Sequence, residues 1–258
     1  MRLIVNADDF GYSKGLNYGV IDAFHNGIVS STTLLTTMPE TGEALALIRE
    51  NSALGLGIHL TVNLGKPFSD PELIPSLAEK NESFRKISYD NIPAINVNEV
   101  EREWTLQIDY LLQQGITLTH IDSHHHFHYH PRLLPTACKL ATQYKLAMRA
   151  LPPDYDYSLL SEAEQATYES VKKPEHTLID FYDQDVSEDY FLSLLNRCPD
   201  LKNKTVELMC HPAYLDDIIY SSSSYNTKRV KELQVLKSPA VHQWISDQNI
   251  RLINFGHL

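Results

Sequence analysis

The sequence has few of the features that mark secreted, membrane-spanning or nucleic-acid-binding proteins. Its only cysteines, Cys138, Cys198 and Cys210, are widely spaced and form no CxxC pair. They offer no disulfide framework and suit a reducing compartment. No apolar run reaches the roughly 18 residues of a transmembrane helix, and the apolar run after Met1 is too short for a signal peptide. We therefore expect a cytoplasmic protein without a membrane partner.

Positive charge is also scarce. The chain has 22 lysines and arginines against 33 aspartates and glutamates, which gives a net charge of −11. No cluster of basic residues interrupts this excess, so nucleic acid and anionic membranes are poor candidate partners. A neutral or cationic ligand is easier to accommodate.

The remaining composition is that of a globular α/β protein. The 258 residues, 43% of them apolar, can build one full core. Seven or eight short apolar strands alternate with amphipathic helices, which predicts one domain over residues 1–258 with a (β/α) barrel-like fold of distorted TIM-barrel type. Two segments, at about 63–96 and 152–176, break the alternation, and we interpret them as loop insertions beside the strand ends.

Histidines are concentrated in one short stretch. Six of the twelve lie between His120 and His130, after a β-branched segment at 116–121 that predicts a strand. A low-complexity tract that binds metal adventitiously is the alternative. The position of the run in mid-chain, alternating with Asp, Ser, Phe and Tyr, favours a functional loop.

Residues capable of chemistry follow several predicted strands. In a β/α barrel the C-terminal ends of the strands form the catalytic face. Two adjacent carboxylates after a buried strand are costly unless a cation offsets their charge. A histidine within a strand is more often a core residue, and an arginine more often faces solvent. The residues at or just after strand ends are Asp8, Asp9, His59, Asp122, His124, Arg149 and His211.

These residue types match the parts of a metal-dependent hydrolase. One carboxylate and two imidazoles, with positions left for water, make a catalytic rather than a structural metal site. The ion lowers the pKa of its water and polarises a carbonyl. A second carboxylate can take a proton from the water, and a separate histidine can protonate a leaving nitrogen.

Four motifs in the same order resemble the YdjC-like carbohydrate deacetylases, which include chitooligosaccharide deacetylases. They are Val5-Asn6-Ala7-Asp8-Asp9-Phe10-Gly11, Gly57-Ile58-His59-Leu60, Thr119-His120-Ile121-Asp122-Ser123-His124-His125-His126 and Met209-Cys210-His211-Pro212. The resemblance implies a barrel-like enzyme that hydrolyses the N-acetyl group of a small acetylated mono- or oligosaccharide. It also implies one divalent ion, usually magnesium, and often a homodimer.

By the same resemblance, the metal ligands are Asp9, His59 and His124. Asp8 would be the base, by analogy with the distantly similar NodB-type deacetylases. His211 would protonate the departing amine, and Arg149 would orient Asp8.

The other residues of the histidine loop have less specific expectations. His126 and His128 would line the mouth of the substrate pocket, with a structural role as the alternative. Asp122 would hold a metal histidine by a hydrogen bond.

The identity of the ion and the reaction class leave alternatives open. Magnesium prefers oxygen ligands, whereas two imidazoles and one carboxylate suit zinc or another transition metal better. Another barrel metallohydrolase, such as a phosphoesterase, would need a second metal and basic groups for the phosphate. A non-catalytic metal- or sugar-binding protein would have little use for a second carboxylate beside its ligand.

Overall fold

The computed structural model describes residues 1–258, in which strands alternate with helices around one curled parallel sheet. The strands are β1 Arg2–Phe10, β2 Ser31–Leu34, β3 Gly55–Leu60, β4 His120–Ser123, β5 Ala147–Met148, β6 His176–Leu178, β7 Thr205–Cys210 and β8 Arg251–Leu252. The α-helices are α1 Lys14–His25, α2 Thr41–Glu50, α3 Val97–Gln113, α4 Leu134–Tyr144, α5 Glu162–Ser170, α6 Glu188–Arg197, α7 Asp217–Ser222, α8 Thr227–Leu236 and α9 Pro239–Asp247.

The strands form an incomplete ring. Their order is β5-β4-β3-β2-β1-β7-β6, every pair is parallel, and β8 pairs with the first residues of β1. Parallel neighbours need long crossovers, which most of the helices provide. The ring stays open between β5 and β6, so the architecture is a half-barrel. The predicted barrel-like α/β fold with seven or eight strands is confirmed.

The two faces of the sheet have different chemistry. Side chains alternate along a strand, and in β1 the residues Leu3, Val5 and Ala7 join an apolar cluster of 65 buried residues. Ile4, on the opposite face, joins a small cluster with Ala147, Ile253 and Phe255. Other residues on the inner face are buried but polar. Buried polar groups are costly unless they are hydrogen-bonded, so the polar side chains of this face must find partners among one another.

The two segments interpreted as insertions differ in structure. Residues 63–96 contain two 3₁₀ helices, Pro71–Leu73 and Tyr89–Ala94, and no strand of the sheet. Ile74, Leu77 and Ile92 within it are fully buried, so the segment packs on the body of the fold. Residues 152–176 contain α5 and end at the first residue of β6.

Glycine allows close packing inside the ring. A Cβ on Gly57 would lie 2.5 Å from Cε1 of His120, on the adjacent strand β4. A Cβ on Gly55 would lie 2.7 Å from Cβ of Asn254. These positions need the absence of a side chain rather than an unusual backbone angle.

Replacing Gly57 should therefore destabilise the fold. We expect Gly57→Ala to lower the free energy of unfolding by about 1 to 3 kcal/mol, because the His120 ring must shift in a packed interior. Urea denaturation measures the change. Gly42→Ala in α2 is the matched control, since its Cβ would meet nothing within 4 Å. The control should be neutral or gain up to about 1 kcal/mol. Equal stability of the two variants would contradict the packing argument.

Candidate active site

A cavity of about 480 Å³ opens at the C-terminal ends of the strands. The residues predicted from the sequence that line this cavity are Asp8, Asp9, His59, His124, His126 and His211. Arg149 and Asp122 are fully buried behind it. The strand ends that carry these residues therefore meet around a single space, which is the geometry that a barrel imposes.

An irregularity in β1 directs two neighbouring carboxylates to the same site. The pairing of β1 with β2 shifts register between Ala7 and Phe10, and Asp9 has a φ of 67°. In a regular strand Asp8 and Asp9 would point to opposite faces, whereas a bulge re-aims one side chain. Aspartate tolerates this left-handed conformation better than most residues. Both carboxylates consequently reach the cavity.

Asp9, His59 and His124 form a cluster suited to one metal ion. Oδ1 of Asp9 lies 2.9 Å from Nδ1 of His124 and 3.4 Å from Nε2 of His59. The three donor atoms all lie within 4.8 Å of one another. Donors about 2.1 Å from a shared ion lie roughly 3 to 3.4 Å apart, so the arrangement fits a divalent ion.

The strand register fixes the orientation of His59. His59 and Asp122 are partners in the β3–β4 pairing, and Nδ1 of His59 lies 2.6 Å from Oδ1 of Asp122. Because an ionised carboxylate only accepts hydrogen bonds, Nδ1 carries the proton and Nε2 faces Asp9. Burial alone would lower the pKa of His59, but the charges of Asp122 and its neighbours raise it to about 10. This ring therefore sits where positive charge is favoured.

Arg149 forms a two-pronged ion pair with Asp8. Its Nη1 and Nη2 donate to Oδ2 and Oδ1 of Asp8 at 2.8 and 2.6 Å. It also contacts Asp122 at 2.9 Å and Glu207 at 2.7 Å. Burial would raise the pKa of Asp8, but the Arg149 charge and hydrogen bonds lower it far below its usual range. Asp8 is therefore ionised, and the alternative that Arg149 faces solvent is wrong.

Buried negative charge exceeds the buried arginine charge around the cavity. The carboxyl groups are those of Asp8, Asp9, Asp122, Glu207 and Glu232, and the guanidinium groups are those of Arg149 and Arg229. Burial raises the pKa of Glu207 to about 7, although Arg149 acts in the opposite direction. The excess is what a bound cation would offset.

His211 follows β7 and lines the cavity. Its backbone N–H donates to Oε2 of Glu232, and its Nδ1 lies 3.7 Å from Oε1 of the same carboxylate. The hydroxyl of Tyr225 donates to Oε1 of Glu232. The rings of Tyr182 and Tyr225 meet the His211 imidazole edge-on at 5.6 Å. The imidazole is thus enclosed by aromatic groups and backed by a buried carboxylate.

The two histidines predicted at the pocket mouth have different surroundings. His126 lines the cavity, and its ring stacks on Tyr129 at 4.9 Å. Burial, and next the Arg149 charge, lower the pKa of His126 to about 3, so the ring is neutral. His128 is fully buried, with Nδ1 2.6 Å from Oγ of Ser123. The expectation that His128 lines the pocket is corrected, because His128 has no surface exposed to it.

Several residues that complete the site were not identified from the sequence. Oγ1 of Thr33 donates to Asp122 at 3.1 Å, and the Asn6 amide donates to Asp8 at 2.8 Å. Nη2 of Arg229 donates to Oδ2 of Asp9 at 2.7 Å. The exposed His125 lines the cavity and lies 3.1 Å from the Asn63 amide. Asn6 and His125 lie within the sequence motifs but received no role there, whereas Thr33 and Arg229 lie outside the motifs.

The fold and site define an α/β half-barrel protein with a carboxylate–histidine cluster that could hold a divalent ion. A family model described as "YdjC-like protein" matches residues 2–247. The chain belongs to this YdjC-like family, as its motifs predicted. None of the helices combines the length and the hydropathy that a membrane span requires.

Relatives match over nearly their whole length. A protein of Brevibacillus brevis named carbohydrate deacetylase is 39% identical over 258 residues, 100% of both chains. A Geobacillus stearothermophilus protein of the same name is 38% identical, covering 98% of this chain and 96% of its own. A crystal structure from Enterococcus faecalis superimposes with a TM-score of 0.89 at 34% identity, covering 99% and 98% of the two chains.

Removing a donor of the cluster should weaken metal binding. We expect Asp9→Asn and His59→Gln each to weaken binding of a divalent ion by at least about a hundredfold. Loss of a residue that only contacts a metal ligand already lowers metal affinity by about 10- to 100-fold. Titration calorimetry with Zn²⁺ and Mg²⁺ on protein without a His tag measures this. His25→Gln, a change at an exposed histidine of α1, should bind as wild type. Equal affinities in all four proteins would exclude the cluster as the site.

Removing Arg149 should cost stability as well as function. Arg149→Met leaves Asp8, Asp122 and Glu207 without their shared cation, and we expect a loss of about 3 to 5 kcal/mol in urea unfolding. The double variant Arg149→Met/Glu207→Gln should recover part of it, since one buried carboxylate is then neutral. A loss below about 1 kcal/mol, typical of a surface ion pair, would contradict this account.

Proposed function

We propose that this chain is a metal-dependent carbohydrate deacetylase, which hydrolyses the N-acetyl group of an acetylated mono- or oligosaccharide. The observation that carries the proposal is the meeting of the Asp9–His59–His124 cluster with Asp8 and His211 in one cavity. Full-length relatives that bear the name carbohydrate deacetylase support it.

Asp9, His59 and His124 would hold the ion. Once bound, the ion would supply Lewis acidity toward water and the acetyl carbonyl. The two imidazoles favour zinc or another transition metal, while the family resemblance favours magnesium. Competition between the two ions in a calorimetric titration would discriminate between them.

Asp8 and His211 would carry the two proton transfers. Asp8 accepts a proton from the water whose oxygen attacks the acetyl carbon, and His211 donates a proton to the sugar nitrogen as the C–N bond breaks. The products are acetate and an amino sugar. Arg149 holds both oxygens of Asp8 and keeps the carboxylate ionised and oriented.

The cavity lining suits an uncharged polar substrate. Neutral His126 and the exposed His125 can exchange hydrogen bonds with hydroxyl groups. Tyr182, 40% exposed beside His211, presents an aromatic face on which a sugar ring can pack. The net charge of −11 disfavours an anionic substrate.

Acetate release from N,N′-diacetylchitobiose and related sugars tests the activity. EDTA should abolish release and a divalent ion should restore it. We expect Asp8→Asn to lower kcat by roughly 10²- to 10⁴-fold, the usual contribution of a general base. His25→Gln should leave kcat unchanged. Phosphate release from an aryl phosphate without acetate release would indicate a different metallohydrolase.

The leaving group separates the roles of Asp8 and His211. Nitrophenolate leaves without protonation, so His211→Asn should retain hydrolysis of 4-nitrophenyl acetate while losing about 10²-fold or more on the acetylated sugar. Asp8→Asn should lose both activities. Equal losses on both substrates in His211→Asn would rule out His211 as the proton donor.

A further inference from the structure

Arg229 on α8 is the basic residue that touches the metal-binding cluster. Its side chain is buried, with only 5% exposed, and Nη2 donates to Oδ2 of Asp9 at 2.7 Å. Nε donates to the backbone oxygen of Tyr225 at 2.7 Å, and Cζ lies 5.5 Å from the centre of the Tyr225 ring. The guanidinium group is therefore held at two points, one on the chain just before α8 and one on Asp9.

The two oxygens of Asp9 have different partners. Oδ1 faces His124 and His59, at 2.9 and 3.4 Å from the nearest ring nitrogens. Oδ2 faces Arg229. We propose that Arg229 is a positioning residue, which occupies Oδ2 and so restricts Asp9 to binding the metal ion through Oδ1 alone.

The physical basis is that a carboxylate can bind an ion through one oxygen or two. A charge-assisted hydrogen bond to one oxygen competes with the second mode, and a buried guanidinium cannot lose its proton. Single-oxygen binding leaves one more position for water and substrate, which a catalytic site needs. The catalytic consequence rests on the proposed deacetylase activity, whereas the mode of metal binding does not.

Arginine suits this task better than lysine. The guanidinium group donates hydrogen bonds to the Tyr225 carbonyl and to Asp9 simultaneously, so its position is fixed before the ion binds. A lysine at this position could keep the charge and one hydrogen bond, but not both anchors. Replacement by lysine therefore separates the charge from the fixed geometry.

The first test is metal binding by variants of Arg229. We expect Arg229→Met to bind Co²⁺ at least about tenfold more tightly, because the ion gains a second oxygen and loses a repelling cation. The visible absorption of bound Co²⁺ should fall in intensity as its coordination number rises by one. Arg229→Lys, which keeps the charge and one hydrogen bond, should lie between wild type and Arg229→Met in both readouts. Arg251→Met, at an exposed arginine of β8, is the control and should not change either one.

Unchanged or weaker Co²⁺ binding by folded Arg229→Met, with the wild-type spectrum, would overturn the proposal. Should this variant fail to fold, X-ray absorption of wild-type protein loaded with Zn²⁺ decides the question. Asp9 bound through one oxygen would support the proposal, and Asp9 bound through two would overturn it.

Activity provides a separate readout. In a wild type that releases acetate, Arg229→Met should lower kcat at least about tenfold, and Arg229→Lys should lose less than Arg229→Met because it keeps the charge beside Asp9. A kcat equal to wild type in Arg229→Met would overturn the positioning role in catalysis. A wild type that releases no acetate would refute the proposed function, while the Co²⁺ and Zn²⁺ measurements would still decide how Asp9 binds.

Discussion

The buried ion pairs of Arg149 are the constraint on which the rest of the structure depends. A single guanidinium at the centre of the half-barrel contacts Asp8, Asp122 and Glu207, which come from three different strands. Removing these carboxylates from water is unfavourable unless each has a partner. The strands must therefore keep the register that brings them to one cation. The same register places His59 opposite Asp122, so the stability of the interior and the geometry of the site share one cause.

A polar barrel interior would be a weakness in a protein that only had to be stable, since an apolar filling of equal volume is often at least as favourable. Here the apolar core lies outside the sheet, between strands and helices, and supports the ring independently. The inner face is then free to hold charged groups. Orientation of the side chains by buried hydrogen bonds is what a catalytic cluster requires, because the reacting groups are fixed before a substrate arrives.

Helix α8 contributes to the site from outside the ring. Arg229 and Glu232 are one turn apart on this helix, the first in contact with Asp9 and the second with His211. Residues three apart lie on the same face of a helix, so one rigid element supports both Asp9 and the proposed proton donor, His211. The motif residues on the strands could be recognised from the family resemblance. The contribution of α8 is visible only in the tertiary structure.

The sequence by itself determined the α/β class, the order of elements and the motif residues, because burial patterns and strand-end chemistry are local properties of the chain. It also predicted that the residues at the strand ends meet, since the strand ends of a parallel barrel share one edge. The family resemblance selected Asp9, His59 and His124 from among them. Only the tertiary structure decided that His128 is buried away from the cavity and that Arg229 holds Asp9. Both depend on the direction of a side chain within a packed environment. Residue type and spacing do not specify that direction, because a bulge or a left-handed residue, such as Asp9 with its φ of 67°, changes which face a side chain meets.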